Sequence, residues 1–175
     1  MNAKLENALT NVETTYGDLV ELVYKNMLDP VFKPINDLVN TISSTINALS
    51  IEQIRDYILQ LQLKAFEISE TKEKAALKAE LAEALQKEKF AVSFNKLEGS
   101  AAVKEKLALV EAAPETVSEA LYNLVANLLK TKLDQLHRLV DALKSVLVSR
   151  MQETRFMNIG STGEIPPTNN TTPRF

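Results

Sequence analysis

The sequence predicts an all-α protein, an elongated helical hairpin or bundle with coiled-coil-like seams and a C-terminal tail of disordered type. Its 175 residues include only 4 glycines and 6 prolines, and most of these lie near position 30 or beyond position 159. The long stretches between them favour helices over many short strands. Apolar residues within these stretches alternate in steps of four and three residues, which is the spacing of a coiled-coil seam.

Residues 1–49 form the first predicted unit, an N-terminal segment of two helices broken at Asp29-Pro30. A residue that precedes proline is pushed out of the α-helical conformation, so we expect the first helix to stop there. The second helix is expected from Pro34 to about Ala48, with proline in its first turn. The apolar stripe of the first helix comprises Leu5, Leu9, Val12, Tyr16, Leu19, Val23 and Met27.

Residues 50–158 form the second predicted unit, a long helical hairpin or bundle. It opens with Ser50 and Gln53, whose spacing matches a capping box in which each side chain bonds the backbone of the other residue. No glycine or proline interrupts residues 51–98, so one long helix is expected, and Gly99-Ser100 predicts the turn that follows it. The seam of this helix is expected to begin with Ile51, Ile54, Ile58, Leu61, Ala65 and Ile68, and to continue with alanines and Leu77, Leu81 and Leu85.

After the turn, a short helix is expected over residues 101–112, and Pro114 is expected to start a last helix that ends near Asn158. This last helix carries two adjacent apolar stripes, which suit a helix with neighbours on two sides. We predict that the second neighbour comes from another subunit. The candidate interface of that homo-oligomer is Leu121, Val125, Leu128, Leu139 and Val146. Residues 159–175 have the composition of a flexible tail.

Composition argues against several classes of function. The chain has no cysteine and a single histidine, His137, so a thiolate nucleophile, a Cys-ligated zinc site and a His-based triad all lack parts. No glycine-rich phosphate-binding motif is present. We therefore expect no enzyme activity, no catalytic residues, no cofactor and no metal. The polar start MNAKLENALTNVE and the absence of a long apolar run lead us to expect a cytoplasmic protein with no membrane partner.

Positive charge is concentrated in two parts of a chain whose net charge is -3. Residues 130–159 carry six basic and three acidic side chains, and five lysines surround the Gly99 turn together with Phe90 and Phe94. Lysines can neutralise phosphates and phenylalanines can stack on bases, although these phenylalanines could equally pack inward. The candidate nucleic-acid-binding residues are Lys87, Lys89, Lys96, Lys104, Lys106, Arg138, Lys144 and Arg150.

Residues 78–153 contain an ordered set of features: the turn Glu98-Gly99-Ser100, a short helix with lysines, and a long helix that closes in the segment DALKS at 141–145. This pattern resembles a group of small helical phage proteins from DNA replication and recombination regions, and the architecture is similar to UvsY-type recombination mediators of T-even-like phages. The resemblance implies a helical oligomer without catalysis. It would bind single-stranded DNA and help load a recombinase onto strands covered by single-strand-binding protein.

Two hypotheses follow for the function. The first is a non-enzymatic, oligomeric DNA-recombination accessory protein of phage type, which would work in the host cytoplasm with single-stranded DNA, a recombinase or a single-strand-binding protein. The alternative is a structural assembly protein, a virion or scaffold component built by helical oligomerisation with other virion proteins and without nucleic acid.

Overall fold

Three long helices make up the fold, and the all-α prediction is confirmed. The computed structural model describes the backbone of residues 17–162 and the side chains of residues 17–157. Residues 17–23 are helical and lead through a π-helical turn, Tyr24–Leu28, into α1, Asp29–Thr45. Helix α2 spans Ile51–Lys96 and α3 spans Ala101–Thr162. The predicted apolar residues Leu5, Leu9, Val12 and Tyr16 lie outside the described residues. Of the predicted tail at 159–175, residues 159–162 are still helical, which corrects the expected helix end near Asn158, and residues 163–175 lie outside the described residues.

Helices α2 and α3 form an antiparallel hairpin, and both the capped start of α2 and the turn at Gly99 were predicted correctly. At the start of α2 the Gln53 amide donates to Ser50 Oγ at 3.2 Å, and the Ser50 amide donates to Gln53 Oε1 at 2.8 Å. At the turn, Gly99 has a φ of 123°, a conformation that residues with a Cβ rarely adopt. The turn returns the chain along α2, so that Ser93 and Glu111 meet near the tip.

The core of the hairpin changes composition along its length. In the half near Ser50, here called the base half (residues 51–70 and 125–157), large aliphatic side chains such as Ile54, Leu61 and Leu136 are buried. In the tip half (residues 71–124), the buried positions of both helices are mostly alanines: Ala75, Ala79, Ala82, Ala108 and Ala112. Alanine side chains allow closer helix packing but bury less apolar area per residue, so the base half is the better stabilised part.

The predicted assignment of Leu77, Leu81 and Leu85 to the seam is wrong, because these residues lie outside this core. Their side chains are 64%, 60% and 42% exposed. Counting in sevens from Ile54 passes through Leu61 and Ile68 and arrives at Ala75 and Ala82, all of which are buried. The alanines therefore continue the seam, and the leucines of the tip half lie on other faces of α2.

The predicted break at Asp29-Pro30 is wrong. The chain stays helical from residue 17 to Thr45, and Leu28 and Asp29 both have αR dihedral angles. In the π-helical turn the Asp29 amide donates to the Tyr24 carbonyl, five residues back. We attribute the turn to Pro30, which has no amide hydrogen to donate and whose ring would clash with the preceding turn of an α-helix.

The predicted restart at Pro114 is wrong as well, because α3 runs through this proline without interruption. Pro114 lies on the exposed face of the helix, so water can bond the Val110 carbonyl that Pro114 leaves without a donor. Ala108 and Ala112, which precede the proline, are buried against α2. Packing on the face opposite Pro114 compensates for the one backbone hydrogen bond that the proline removes.

Candidate interaction surfaces

The predicted oligomer interface on α3 is covered in the base half by the chain's own helix α1. Val125 is fully buried, and Leu128, Leu139 and Val146 are partly buried against the same core. A crevice between the helices is lined by Ile42 and Ile46 on one side and by Leu139 and Val146 on the other. Along Leu139 and Val146 the second neighbour of α3 is therefore α1. Val125 is buried within the chain itself, and the subunit interface on α3 stays a prediction. Leu121, nearer the tip, remains partly exposed.

Polar contacts of α3 hold α1 in this position. Lys132 Nζ donates to Asn36 Oδ1 at 2.5 Å and lies 5.5 Å from the centre of the Phe32 ring. Both contacts tether the side of α1 that faces α3. Lys132 lies between the two apolar stripes, and nothing in the local sequence indicates its partner, because the contact spans 96 residues.

Arg150, predicted to face phosphates, instead binds the chain beyond the C-terminal end of α1. Its guanidinium donates to the carbonyl of Leu49, and through Nη2 to the carbonyls of Ile46 at 2.8 Å and Asn47 at 3.1 Å. The last carbonyls of a helix lack partners within it, and a positive charge is favourable at this end. Arg150 is therefore a structural capping residue, and its assignment to a nucleic-acid surface is corrected.

Three of the predicted basic residues form ion pairs. Lys87 pairs with Glu83 at 2.5 Å, Lys89 with Glu115, and Lys144 with Asp141 at 3.2 Å. The hydrogen bond to Glu83 raises the pKa of Lys87. The hydrogen bond from Lys89 lowers the pKa of Glu115 below its ordinary value, against the opposing effect of desolvation. These side chains are partly neutralised by partners that any added anion would have to displace.

The other predicted basic residues fall into two separate groups. Lys96, Lys104 and Lys106 surround the Gly99 turn, and within residues 17–157 no carboxylate lies at ion-pair distance from any of them. Arg138, equally without such a partner in this part of the chain, lies 32 residues beyond Lys106 on the same helix, or about 48 Å away. The structure therefore does not bring the eight predicted residues onto one surface.

The outer face of α2 exposes an apolar strip that the sequence reasoning missed. On the side of α2 that faces away from α3, five large side chains are between 57% and 72% exposed. We call this set the outer strip: Leu59, Leu63, Phe66, Leu77 and Leu81. Its signal in the sequence is a second set of leucines between the seam positions, which becomes apparent once the alanines are assigned to the seam.

The crevices on the described part of the chain are open to solvent. His137 lies at an open crevice of the base half with Gln62, Ser69 and Lys144. Among residues 17–157 no three histidine or acidic side chains are grouped as metal ligands would be. None of the described helices combines the length and apolarity that a membrane crossing requires.

The surfaces thus define a helical protein whose distinguishing features are exposed faces of long helices. Comparison with family models, curated proteins and solved structures finds no match to this chain.

Proposed function

We propose that the protein is a non-enzymatic structural assembly protein, such as a virion or scaffold component, and that it associates with copies of itself through the outer strip of α2. The observation that supports this is the exposure of five large apolar side chains on a single helix face, each more than half accessible. The strip spans 22 residue steps, or about 33 Å. The strip consists of two apolar patches, Leu59 to Phe66 and Leu77 to Leu81, and exposed apolar patches of this kind often mark interaction sites.

The spacing within the outer strip fits a two-fold pairing of α2 with a second copy. Leu59 and Leu81 lie eleven residues before and after Glu70, and Leu63 and Leu77 lie seven residues before and after it. When two copies of α2 run antiparallel and cross at Glu70, each leucine faces a leucine of the other copy. Such an isologous interface uses the same surface on both subunits.

The polar centre of the strip is compatible with this crossing. Glu70 accepts a hydrogen bond from Lys74 at 2.7 Å, and this bond lowers the pKa of the Glu70 carboxyl. Two Glu70 side chains would approach each other at the two-fold axis, where each would be partly neutralised by its own Lys74.

The test is the mass of the full chain in solution by sedimentation velocity, from low to high micromolar concentration. We expect the wild type to form dimers or larger assemblies, and the double variant Leu63→Glu/Leu77→Glu to sediment as a monomer over the same range. Leu109→Glu is the matched control, since Leu109 is 51% exposed on α3. It should associate as the wild type does.

A wild-type protein that stays monomeric throughout this range would overturn the proposal. So would a double variant whose association constant is unchanged, because it would move the interface elsewhere. Circular dichroism of each variant, which should retain the helical signal of the wild type, separates lost association from lost folding.

Single-stranded DNA binding by a recombination accessory protein is the second candidate, supported by the lysines of the tip. Lys96, Lys104 and Lys106 flank one turn and make no ion pair within residues 17–157. Phe90 and Phe94 stack on each other nearby, with ring centres 6.0 Å apart, so neither ring lies free in solvent to receive a base on both faces. A contact with the phosphate backbone is therefore the mode that the tip supports.

Fluorescence anisotropy of a labelled oligonucleotide tests this candidate. If three lysines bind phosphates, the logarithm of the association constant should fall with the logarithm of salt concentration with a slope of about -2. The variant Lys96→Glu/Lys104→Glu/Lys106→Glu should abolish binding, and Arg138→Glu should leave it unchanged. Absence of binding at low salt would leave self-assembly as the only proposal.

A further inference from the structure

Helix α3 exposes a second apolar strip, which lies in the tip half on a different face from the one that packs against α2. Four of its side chains are between 38% and 70% exposed, and two more are partly exposed. We call this set the α3 strip: Val103, Leu107, Val110, Val117, Leu121 and Leu124. Together with the exposed Pro114, its members follow one another at steps of four and three residues, which is the spacing of a coiled-coil seam. Helix α3 therefore carries a second helix-packing face beside the one that α2 uses.

The same face of α3 is polar in the base half. Continuing at steps of four and three past Leu124 leads first to Leu128, which packs partly buried against the core. The next three positions are polar and exposed: Thr131, Gln135 and Arg138. An exposed apolar patch that polar residues border often marks an interaction site. The tip half is thus the part of this face that is suited to a partner.

We propose that the α3 strip binds the α3 strip of a second copy, with the two helices antiparallel and crossing at Ala112. In this register the strip is complementary to itself, because residues at equal distances before and after Ala112 face one another. At distances of nine, five and two residues the facing pairs are Val103 and Leu121, Leu107 and Val117, and Val110 and Pro114. Each strip residue in these pairs meets an apolar side chain, as an isologous interface requires.

The end of the strip agrees with the length of helix that a second copy can supply. Leu124 lies twelve residues after Ala112, and Ser100, the residue that follows the Gly99 turn, lies twelve residues before it. Helix α3 of the second copy would therefore begin opposite Leu124. Beyond that point the face is polar apart from Leu128, which packs against the core of its own chain. The apolar surface and the available partner helix thus stop at the same place, which favours a second copy as the occupant.

The lysines of the tip favour the antiparallel orientation. Within residues 17–157 no carboxylate lies at ion-pair distance from Lys104 or Lys106. A parallel pair would place the same lysines of two copies side by side, where their like charges repel each other. In the antiparallel pair they are separated by 12 to 16 residue steps, or about 18–24 Å, which exceeds the screening length of about 8 Å at physiological salt.

Combined with the outer strip, the α3 strip would make the assembly open-ended. This consequence rests on the proposed function, whereas the pairing of the α3 strip does not. The contact between Ser93 and Glu111 places Ala112 at the level of Val92, which is 22 residues beyond Glu70 on α2. The two-fold axes of the two pairings are both perpendicular to the hairpin and lie about 33 Å apart along it. Using both in succession moves a copy about 66 Å along the hairpin, so the copies form a chain and do not close into a ring.

Mixed-disulfide trapping tests the α3 pairing by itself. The experiment uses full-length Leu63→Glu/Leu77→Glu, in which the outer strip is disrupted, and the chain has no native cysteine. The valines of the α3 strip bury less apolar area than the leucines of the outer strip, so this pairing is the weaker one and covalent trapping is the suitable readout. One preparation carries Leu107→Cys in addition and a second carries Val117→Cys. Under mild oxidation their mixture should form the mixed dimer at least tenfold faster than either preparation alone forms its own dimer.

The single preparations are the matched controls, because identical positions lie ten residue steps, or about 15 Å, apart in the antiparallel register. Equal rates for the mixture and the single preparations would overturn the inference. A faster reaction of Leu107→Cys with itself would overturn it too, because the helices would then be parallel.

The mass of the assembly separates this inference from the proposed function. Above the micromolar range, small-angle X-ray scattering should show wild-type particles that grow beyond the dimer as concentration rises. Val110→Glu should stop at the dimer, and Leu109→Glu, an exposed neighbour on another face of α3, should grow as the wild type does. A wild type that stops at the dimer, or a Val110→Glu variant that grows with it, would overturn the inference and leave the outer strip intact. A monomeric wild type would overturn the outer-strip proposal, and a rapid mixed disulfide would still support the α3 pairing.

Discussion

Replacing Arg150 should destabilise the folded chain in the absence of any ligand. The guanidinium donates to the carbonyls of Ile46, Asn47 and Leu49, which follow α1, and Leu49 itself is only 5% exposed. Alanine at position 150 would leave these carbonyls without a protein donor and would release the end of α1 from α3. Water can reach some of them, which limits the loss.

The expected magnitude follows from the three bonds. A hydrogen bond to a charged group contributes about 1.5–3 kcal/mol, and partial replacement by water reduces the sum. We therefore expect Arg150→Ala to lower the free energy of unfolding by roughly 2–4 kcal/mol. In a chain of this size each kcal/mol corresponds to about 2–4 °C, so the melting temperature should fall by roughly 5–15 °C.

Arg150→Lys distinguishes capping from phosphate binding. Lysine keeps the positive charge but lacks the planar fork that reaches three carbonyls at once, so it should restore less than half of the loss. Thermal and urea denaturation followed by circular dichroism measure both variants. Arg138→Ala is the control and should stay within about 0.5 kcal/mol of the wild type, because Arg138 is exposed. An Arg150→Ala protein with the same melting temperature as the wild type would refute the capping role.

Three further predictions concern the hairpin. Leu136→Ala, in the aliphatic base half, should cost about 2–5 kcal/mol in urea denaturation, and a cost below 1 kcal/mol would contradict the burial of its side chain. Gly99→Ala should lower the free energy of unfolding by about 1–3 kcal/mol, because alanine is strained at a positive φ. A steric clash does not contribute, since the nearest neighbour of an added Cβ, Val103, is 3.9 Å away. For Glu115 the pKa is lowered from 4.5 in the folded state, so its contribution to stability is present above that value and is lost as pH falls below it. Glu115→Gln should therefore be less stable than the wild type at pH 7, and this gap in unfolding free energy should narrow toward pH 3; a gap that is constant with pH would contradict the role of the ion pair.

Local signals in the sequence predicted the features that depend on a few neighbouring residues. The capping box at Ser50 and the turn at Gly99 were both found, since each is determined within about four positions. The two proline breaks were wrong because a single missing hydrogen bond can be tolerated when the opposite helix face is well packed. Buried Leu28 and Ala112, close to Pro30 and Pro114, provide that packing, and it is a tertiary effect that sequence-local rules do not include.

The candidate surfaces were harder to predict, because they depend on contacts between distant parts of the chain. Arg150 reads as a surface cation in its own helix, and its role depends on carbonyls about 100 residues earlier. The leucines of the tip half outrank alanine in hydrophobicity, which led to their assignment to the seam. The strict seven-residue repeat through Ala75 and Ala82 would have corrected that assignment, so periodicity was the better guide than hydrophobicity at these positions.

The alanine-lined tip half gives the hairpin an uneven resistance to opening. Small side chains interlock weakly, and each contributes about a third as much burial energy as a leucine or isoleucine. Separating α2 from α3 at the Gly99 end should therefore require less free energy than separating them at the Ser50 end. In an assembly held through the outer strip, the part of each hairpin beyond Leu81 would bend more easily than the aliphatic end near Ser50.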